Sequence, residues 1–289
     1  MRHWARKFTG KYKSNEKGSD FAVKARVWLL LFLLILVVAM TALISGKVMR
    51  IREVAVLGCE ERSPAEVVNL AAIENEQSVF TLKFKQITAQ IDVSPYFDVT
   101  DISYVFPNTL RIVVSERKAS AAIEHLGGVL VTDETGYVLE AKPNFADTRR
   151  IPQVTGLRIV EGYQVCETLE SSQASQIDAM RAILTQLRAQ NVIQLIEEVN
   201  LEAVSDIRMT TVSGFEVRLG NFEAMDKKIQ WLRAVEPILA SEGYTAGIIT
   251  VSTGDHATFM EAGGQTLQLP LEQIQQALDD VPDDVPDEE

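Results

Sequence analysis

SPYFDVTDISYVFPNTLRIVVSERKASA, residues 94–121, is the most informative run in this chain of 289 residues. Residues 99–106 and 110–115 read as strands, and in the second Leu110, Ile112 and Val114 alternate with Arg111 and Val113, so that the first three share one face. Pro107 and Asn108 between the two runs are turn residues, because proline presets φ and asparagine bonds its own backbone. Two strands joined by a turn are therefore expected. Working back, residues 83–91 carry Phe84, Ile87 and Ile91 at helical spacing and end shortly before Pro95. Ser63, Pro64 and Glu66 read as a helix start with a capping box, followed by Val67, Leu70 and Ala71. Residues 51–58 alternate with period two, with Val54 and Val56 on one face and Gly58 closing the run. The expected order is strand, helix, helix, strand, strand.

Further back stands VWLLLFLLILVVAMTALI, residues 27–44, an apolar run free of charge. With its flanks, and at about 1.5 Å per residue, it reaches across the roughly 30 Å hydrocarbon core of a bilayer. A cleavable signal is the rival reading. The run exceeds the usual apolar core of about 7 to 15 residues, and residues 42–47 (ALISGK) lack a small-x-small cleavage pair, so a retained anchor is expected. Eight basic residues precede it against Glu16 and Asp20, a net +6 that predicts a cytoplasmic N-terminus. The whole chain carries −12, which leaves −18 for the rest. Such a charge excludes a basic nucleic-acid surface and keeps an exposed domain soluble.

Downstream, residues 126–140 read as two short strands around turns at Gly127-Gly128 and residues 133–136. Ile177, Met180, Ile183, Leu184 and Leu187 form one helical stripe, and Met225, Ile229, Leu232, Val235 and Leu239 another; both are expected to be core. Strands are expected at residues 198–204, 207–212 and 215–219, with Gly214 in a turn and Asn221 as a helix cap. The last strands are expected at residues 247–251 and 256–260. Residues 279–289 hold seven acids and two prolines, too little apolar surface to offset the entropy of ordering.

Residues 51–118 resemble the POTRA module of the FtsQ/DivIB bacterial cell-division proteins. The resemblance rests on Val54, Val56 and Gly58, on residues 63–66, and on the closing run with Pro107, Glu116 and Arg117. Ala119-Ser120 departs from it, since the family usually carries Pro before a small apolar residue there. Residues 126–140 and the Pro-containing segment 151–156 are similar to the family's second domain. The expected class is α+β: a single transmembrane helix, a POTRA-like β-α-α-β-β domain, and a second mixed α/β domain built on an antiparallel sheet. The expected limits are a cytoplasmic tail at 1–26, the span at 27–46, the POTRA-like domain at 47–118, the second domain at 119–261 and a disordered acidic tail at 262–289.

No catalytic, cofactor or metal site is expected. His3, His125 and His256 have no ligand spacing around them, and paired acids such as Glu197-Glu198 point apart on any regular element. Cys59 and Cys166 are expected as free, buried thiols. What remains is recognition by strand addition at a sheet edge. The resemblance implies that the C-terminal strands, Gly247, Ile248, Ile249, Thr250 and Val251 with Thr258, Phe259 and Met260, receive a DivIC/FtsB-like partner that is itself paired with an FtsL-like protein. Half of the apolar side chains there are expected in the core. Glu116 and Arg117 are expected as surface ion pairs first and recruitment contacts second. The resemblance also implies a non-catalytic scaffold at the septal plasma membrane, near other cell-wall synthesis proteins. A POTRA-bearing part of another envelope assembly and an anchored cell-wall hydrolase are the alternatives.

Overall fold

A computed structural model of the chain describes residues 16–48, 50–74, 76–146, 148, 150–160, 165–253, 256–261, 263–267 and 274. Its elements run α1 (Glu16–Val48), β1 (Glu53–Leu57), α2 (Pro64–Ala71), α3 (Phe84–Ile91), β2 (Phe97–Val105), β3 (Thr109–Glu116), β4 (Ala121–His125), β5 (Gly128–Thr132), β6 (Val138–Lys142), β7 (Gln153–Thr155), α4 (Ala174–Ala189), β8 (Ile196–Asn200), β9 (Ile207–Thr211), β10 (Phe215–Gly220), α5 (Met225–Ser241), β11 (Gly247–Thr250), β12 (Thr258–Glu261) and β13 (Thr266–Leu267). A 3-10 turn, Val79–Thr81, precedes α3. The first three strands form a sheet of order β1-β3-β2, and Leu110, Ile112 and Val114 on β3 are buried. Ser63 caps α2 through its hydroxyl, which accepts from Ala65 N. Glu66 does not complete the expected box; its carboxylate takes Arg62 at 3.2 Å.

The described residues form two compact units. The first draws on residues 1–55, 73–84 and 101–112. Within it, residues Lys24–Ala42 of α1 are long and apolar enough to cross a membrane, and none of their side chains is buried. Past α1, Ile51 N donates to Gln77 O at 2.9 Å, Glu76 N to Ile51 O at 3.1 Å and Arg52 N to Asn108 O at 2.9 Å, while Arg50 bridges Ser78.

The second unit draws on residues 56–72, 85–100 and 113–289. Its centre is a ten-stranded sheet of order β13-β12-β11-β10-β9-β8-β7-β4-β5-β6. The sheet is mixed rather than antiparallel, because β4 with β7, β7 with β8, and β10 with β11 pair in parallel. The cause is connectivity: a parallel partner needs a long crossover, supplied by α4 between β7 and β8 and by α5 between β10 and β11. Register aligns Val154, Val199, Met209, Val217, Ile249 and Phe259 in one row across the sheet. All six are buried, in one core with Met180, Ile183, Leu184 and Leu187 of α4 and Ile229, Leu232, Val235 and Leu239 of α5. Each fully buried side chain of this size contributes about 1.5–3 kcal/mol from removed apolar surface.

Three expectations need correction here. The strand expected at 198–204 begins at Ile196 and ends at Asn200, because the chain turns at Glu202 once Asn200 Oδ1 accepts its N–H at 3.0 Å. Asn221 is not the cap of α5. Ala224, with φ 49°, holds that place, while Asn221 offers both its carbonyl and Oδ1 to the buried Lys228 ammonium at 2.8 and 3.0 Å. The segment expected to be disordered contributes β13 and a helical residue, Ile274, which is fully buried in the main core. All of its acids but Glu272 lie beyond Ile274, and the acidic run 279–289 falls outside the described residues.

Candidate partner-binding edge

The C-terminal end of the ten-stranded sheet is assembled from three short strands. Along β11, Phe215↔Gly247, Val217↔Ile249 and Arg218↔Thr250 pair it in parallel with β10, while Gly247↔Glu261, Ile249↔Phe259 and Thr250↔Thr258 pair it with β12. Gly247, Ile248, Ile249 and Thr250 therefore lie in an interior strand with neighbours on both sides, and Val251 follows the strand with its side chain buried. They support the edge and do not form it. On the far side of β12, the described residues of β13 pair Phe259↔Leu267 and Met260↔Thr266, closed by a turn in which Glu261 N donates to Gln265 O at 3.0 Å. Among the described residues, Thr258 has no partner across that side.

Phe259 fixes this end to the core. Its ring meets Phe215 at 6.0 Å and Tyr244 at 5.1 Å, both edge to face, an arrangement favoured by the ring quadrupoles. Gly247 lies directly against the same ring. A Cβ there would stand 2.3 Å from Phe259 Cε2 and 2.8 Å from the Met260 carbonyl oxygen, so only glycine lets β11 and β12 close. Of the five apolar side chains in question, Ile249, Val251 and Phe259 are buried, while Ile248 and Met260 are half-buried cross-strand neighbours on the opposite face. That face continues along the sheet as a polar row in which Glu216 takes Arg218 at 2.8 Å and Arg208 takes Asp206 at 2.6 Å. Hydrogen bonding to Arg208 draws the Asp206 carboxyl below its ordinary value.

The remaining motif residues are structural. Val54 and Val56 are half-buried, Pro107 is exposed, and Gly58 has φ 92° with its Cβ position 1.8 Å from the Val114 carbonyl oxygen. Of the surface pairs expected of Glu116 and Arg117, one is present, Arg117 with the exposed Asp98 at 3.5 Å. Glu116 accepts backbone N–H bonds from Glu60, Glu61 and Arg62 at 2.6, 3.1 and 3.0 Å. Arg117 takes the buried Asp133 carboxylate at 3.0 Å and lies 4.3 Å over the Tyr137 ring. Both cysteines are free, but neither is buried: Cys59 is half-buried and Cys166 exposed. Partial burial, then Glu116 and Glu66, raise the Cys59 thiol above its usual range. Among the described residues no group of three or more histidine, cysteine or acidic residues could hold a metal.

Two family models match the chain in succession, "POTRA domain, FtsQ-type" over residues 49–117 and "Cell division protein FtsQ/DivIB, C-terminal" over residues 121–251. The chain belongs to the FtsQ/DivIB family. FtsQ/DivIB proteins are non-catalytic division scaffolds, and no enzyme family is indicated. Among curated relatives, the FtsQ/DivIB likeness extends to the cell division protein FtsQ of Myxococcus fulvus, 31% identical over 66% of each chain. It also extends to DivIB of Clostridium tetani, 26% identical over 64% of this chain and 69% of that one. The chain thus spans about two thirds of the length of these relatives. Among solved structures it is similar to the major extracytoplasmic domain of the trans isomer of DivIB from Geobacillus stearothermophilus, at 16% identity and a TM-score of 0.29, covering 44% of this chain and 97% of that one. FtsQ/DivIB membership supports a role in the divisome, and the single N-terminal apolar helix is consistent with single-pass anchoring.

Proposed function

We propose that this protein is a membrane-anchored divisome scaffold that takes an extended segment of a partner as an added strand at the β12–β13 end of its sheet. The partner class is a DivIC/FtsB-like division protein carrying an FtsL-like protein with it, and other septal cell-wall synthesis proteins join through that assembly. The observation that carries the reading is the position of β12 and β13 at the end of the ten-stranded sheet, where β13 pairs two residues of β12 among the described residues. An added strand gains main-chain hydrogen bonds along β12 or β13 and sets its side chains beside Met260 and Ile248. In this reading the basic tail is cytoplasmic, residues 27–46 span the plasma membrane, and residues 47–118 form the β-α-α-β-β POTRA-like domain. Residues 119–261 form the binding domain outside, concentrated at the septum.

The test is a titration of the full chain, held in detergent, against the extracytoplasmic part of a DivIC/FtsB-like protein. Thr258→Pro and Met260→Lys change the outer strand without emptying the core. Each is expected to weaken binding about tenfold or more, equivalent to about 1.4 kcal/mol. Arg208→Ala, on the same face but three strands inward, is expected to leave affinity unchanged. Equal affinity for all four proteins would overturn strand addition at this edge.

A further inference from the structure

The first unit exposes a cluster of aromatic side chains that its fold does not use. Phe80 and Phe106 are each 70% exposed and Phe84 40% exposed, in segments that also carry the exposed Val105. Large apolar side chains grouped in this way mark a surface that meets something other than water. The chain itself shows what lies nearby. Helix α1 ends at Val48, and two residues later Arg50 bridges Ser78, which stands two residues before Phe80. Arg52 N and Glu53 N both bond Asn108 O, two residues after Phe106. At about 3.3–3.6 Å per extended residue, these backbone ties hold both phenylalanines within a short reach of the point where the apolar helix ends.

Charge points the same way. The residues of this unit beyond the helix balance Arg50, Arg52, Lys83 and Arg111 against Glu53, Glu74, Glu76 and Asp101, whereas residues 27–289 together carry −18. An anionic leaflet repels an acidic surface and tolerates a neutral one edged by arginine and lysine. Exposed Phe side chains flanked by such cations suit the boundary between headgroups and acyl chains, where apolar side chains enter the bilayer beside basic ones.

We propose that Phe80, Phe84 and Phe106 form a lipid-facing surface that rests in the outer headgroup region beside the membrane helix. This rests on the reading of α1 as a membrane span. The turn Val79–Thr81 and the β2–β3 turn act as two feet, so that the anchor and the first folded segments meet the bilayer together. The occupant is the lipid surface itself, with no second protein required.

The test uses the full chain with Cys59→Ser and Cys166→Ser, reconstituted in vesicles of phosphatidylethanolamine and phosphatidylglycerol. Single cysteines introduced as Leu34→Cys, Phe80→Cys, Phe106→Cys, Leu126→Cys and Val212→Cys carry an environment-sensitive fluorophore; lipid bearing a nitroxide near the headgroup is the quencher for positions 80, 106, 126 and 212, and lipid bearing it deep in the acyl chain is the quencher for position 34. Leu126 and Val212 are exposed apolar residues outside this unit, so their variants report the label's own affinity for lipid. The expected result is a blue shift and loss of most emission at positions 80 and 106, with little loss at 126 and 212. If position 34 is quenched while 80 and 106 match 126 and 212, the lipid-facing surface is overturned and the anchor stands. If position 34 is not quenched, the span and the surface fall together.

Discussion

At the residue scale, the side chains that tie loops together are those whose partners lie far away in sequence. Glu116 holds three consecutive amides of the segment after β1, a set of charge-assisted bonds stronger than neutral ones. Replacing it with glutamine is expected to lower stability by about 1–3 kcal/mol in urea unfolding, with little change in slope. Gly58→Ala is expected to be at least as costly, since φ 92° strains any other residue and the added carbon meets the Val114 carbonyl. Glu140 supplies a pH test. Burial alone would raise its carboxyl, but hydrogen bonds from Tyr96 and Lys142 and the charges of Lys142 and Arg62 hold it below the ordinary value. Its contribution is therefore present above the ordinary carboxylate range and lost as pH falls through the lowered folded value. Tyr96→Phe is expected to shrink that acid-side loss, measured as the midpoint of thermal unfolding between neutral pH and pH 3. The motif itself was legible in sequence, because V-x-V-x-G and Glu-Arg are local patterns. The roles of Glu116 and Arg117 were not, because no periodicity reports a carboxylate whose acceptor sites are filled by amides more than fifty positions away.

At the element scale, helices with a full apolar stripe were read correctly, and both stripes of α4 and α5 are core. Alternation also found β9 and β10, since each packs one face on those helices. It placed β8 two residues late and overlooked β13, which has too few residues to show a period. The candidate edge was therefore legible as strands but not as an order of strands. Whether β11 or β12 lies nearer the end of the sheet depends on a parallel pairing that local pattern does not encode. Gly247→Ala is expected to push Phe259 out of its place between Phe215 and Tyr244, and Phe259→Ala to cost about 3–5 kcal/mol. Both are expected to abolish partner binding while leaving the amide protection of β4 and β5 largely intact, a contrast that hydrogen exchange measures.

At the scale of the whole molecule, the strongly acidic balance and the apolar helix divide the chain into an anchor and an exposed part, a division read from composition alone. Composition misled only near the C-terminus, where one buried isoleucine sits among polar neighbours. Ile274→Ala is expected to cost about 2–4 kcal/mol and lower the thermal midpoint, although its near neighbours in sequence are polar. The parallel joint between β10 and β11 has a consequence in time as well as in space. An antiparallel end strand could zip onto its neighbour through a tight turn, but β11 must wait until α5 has been made and folded back across the sheet. During synthesis the sheet therefore stops at β10 until α5 and β11 have emerged, so the proposed docking strands can join it only after that crossover is made.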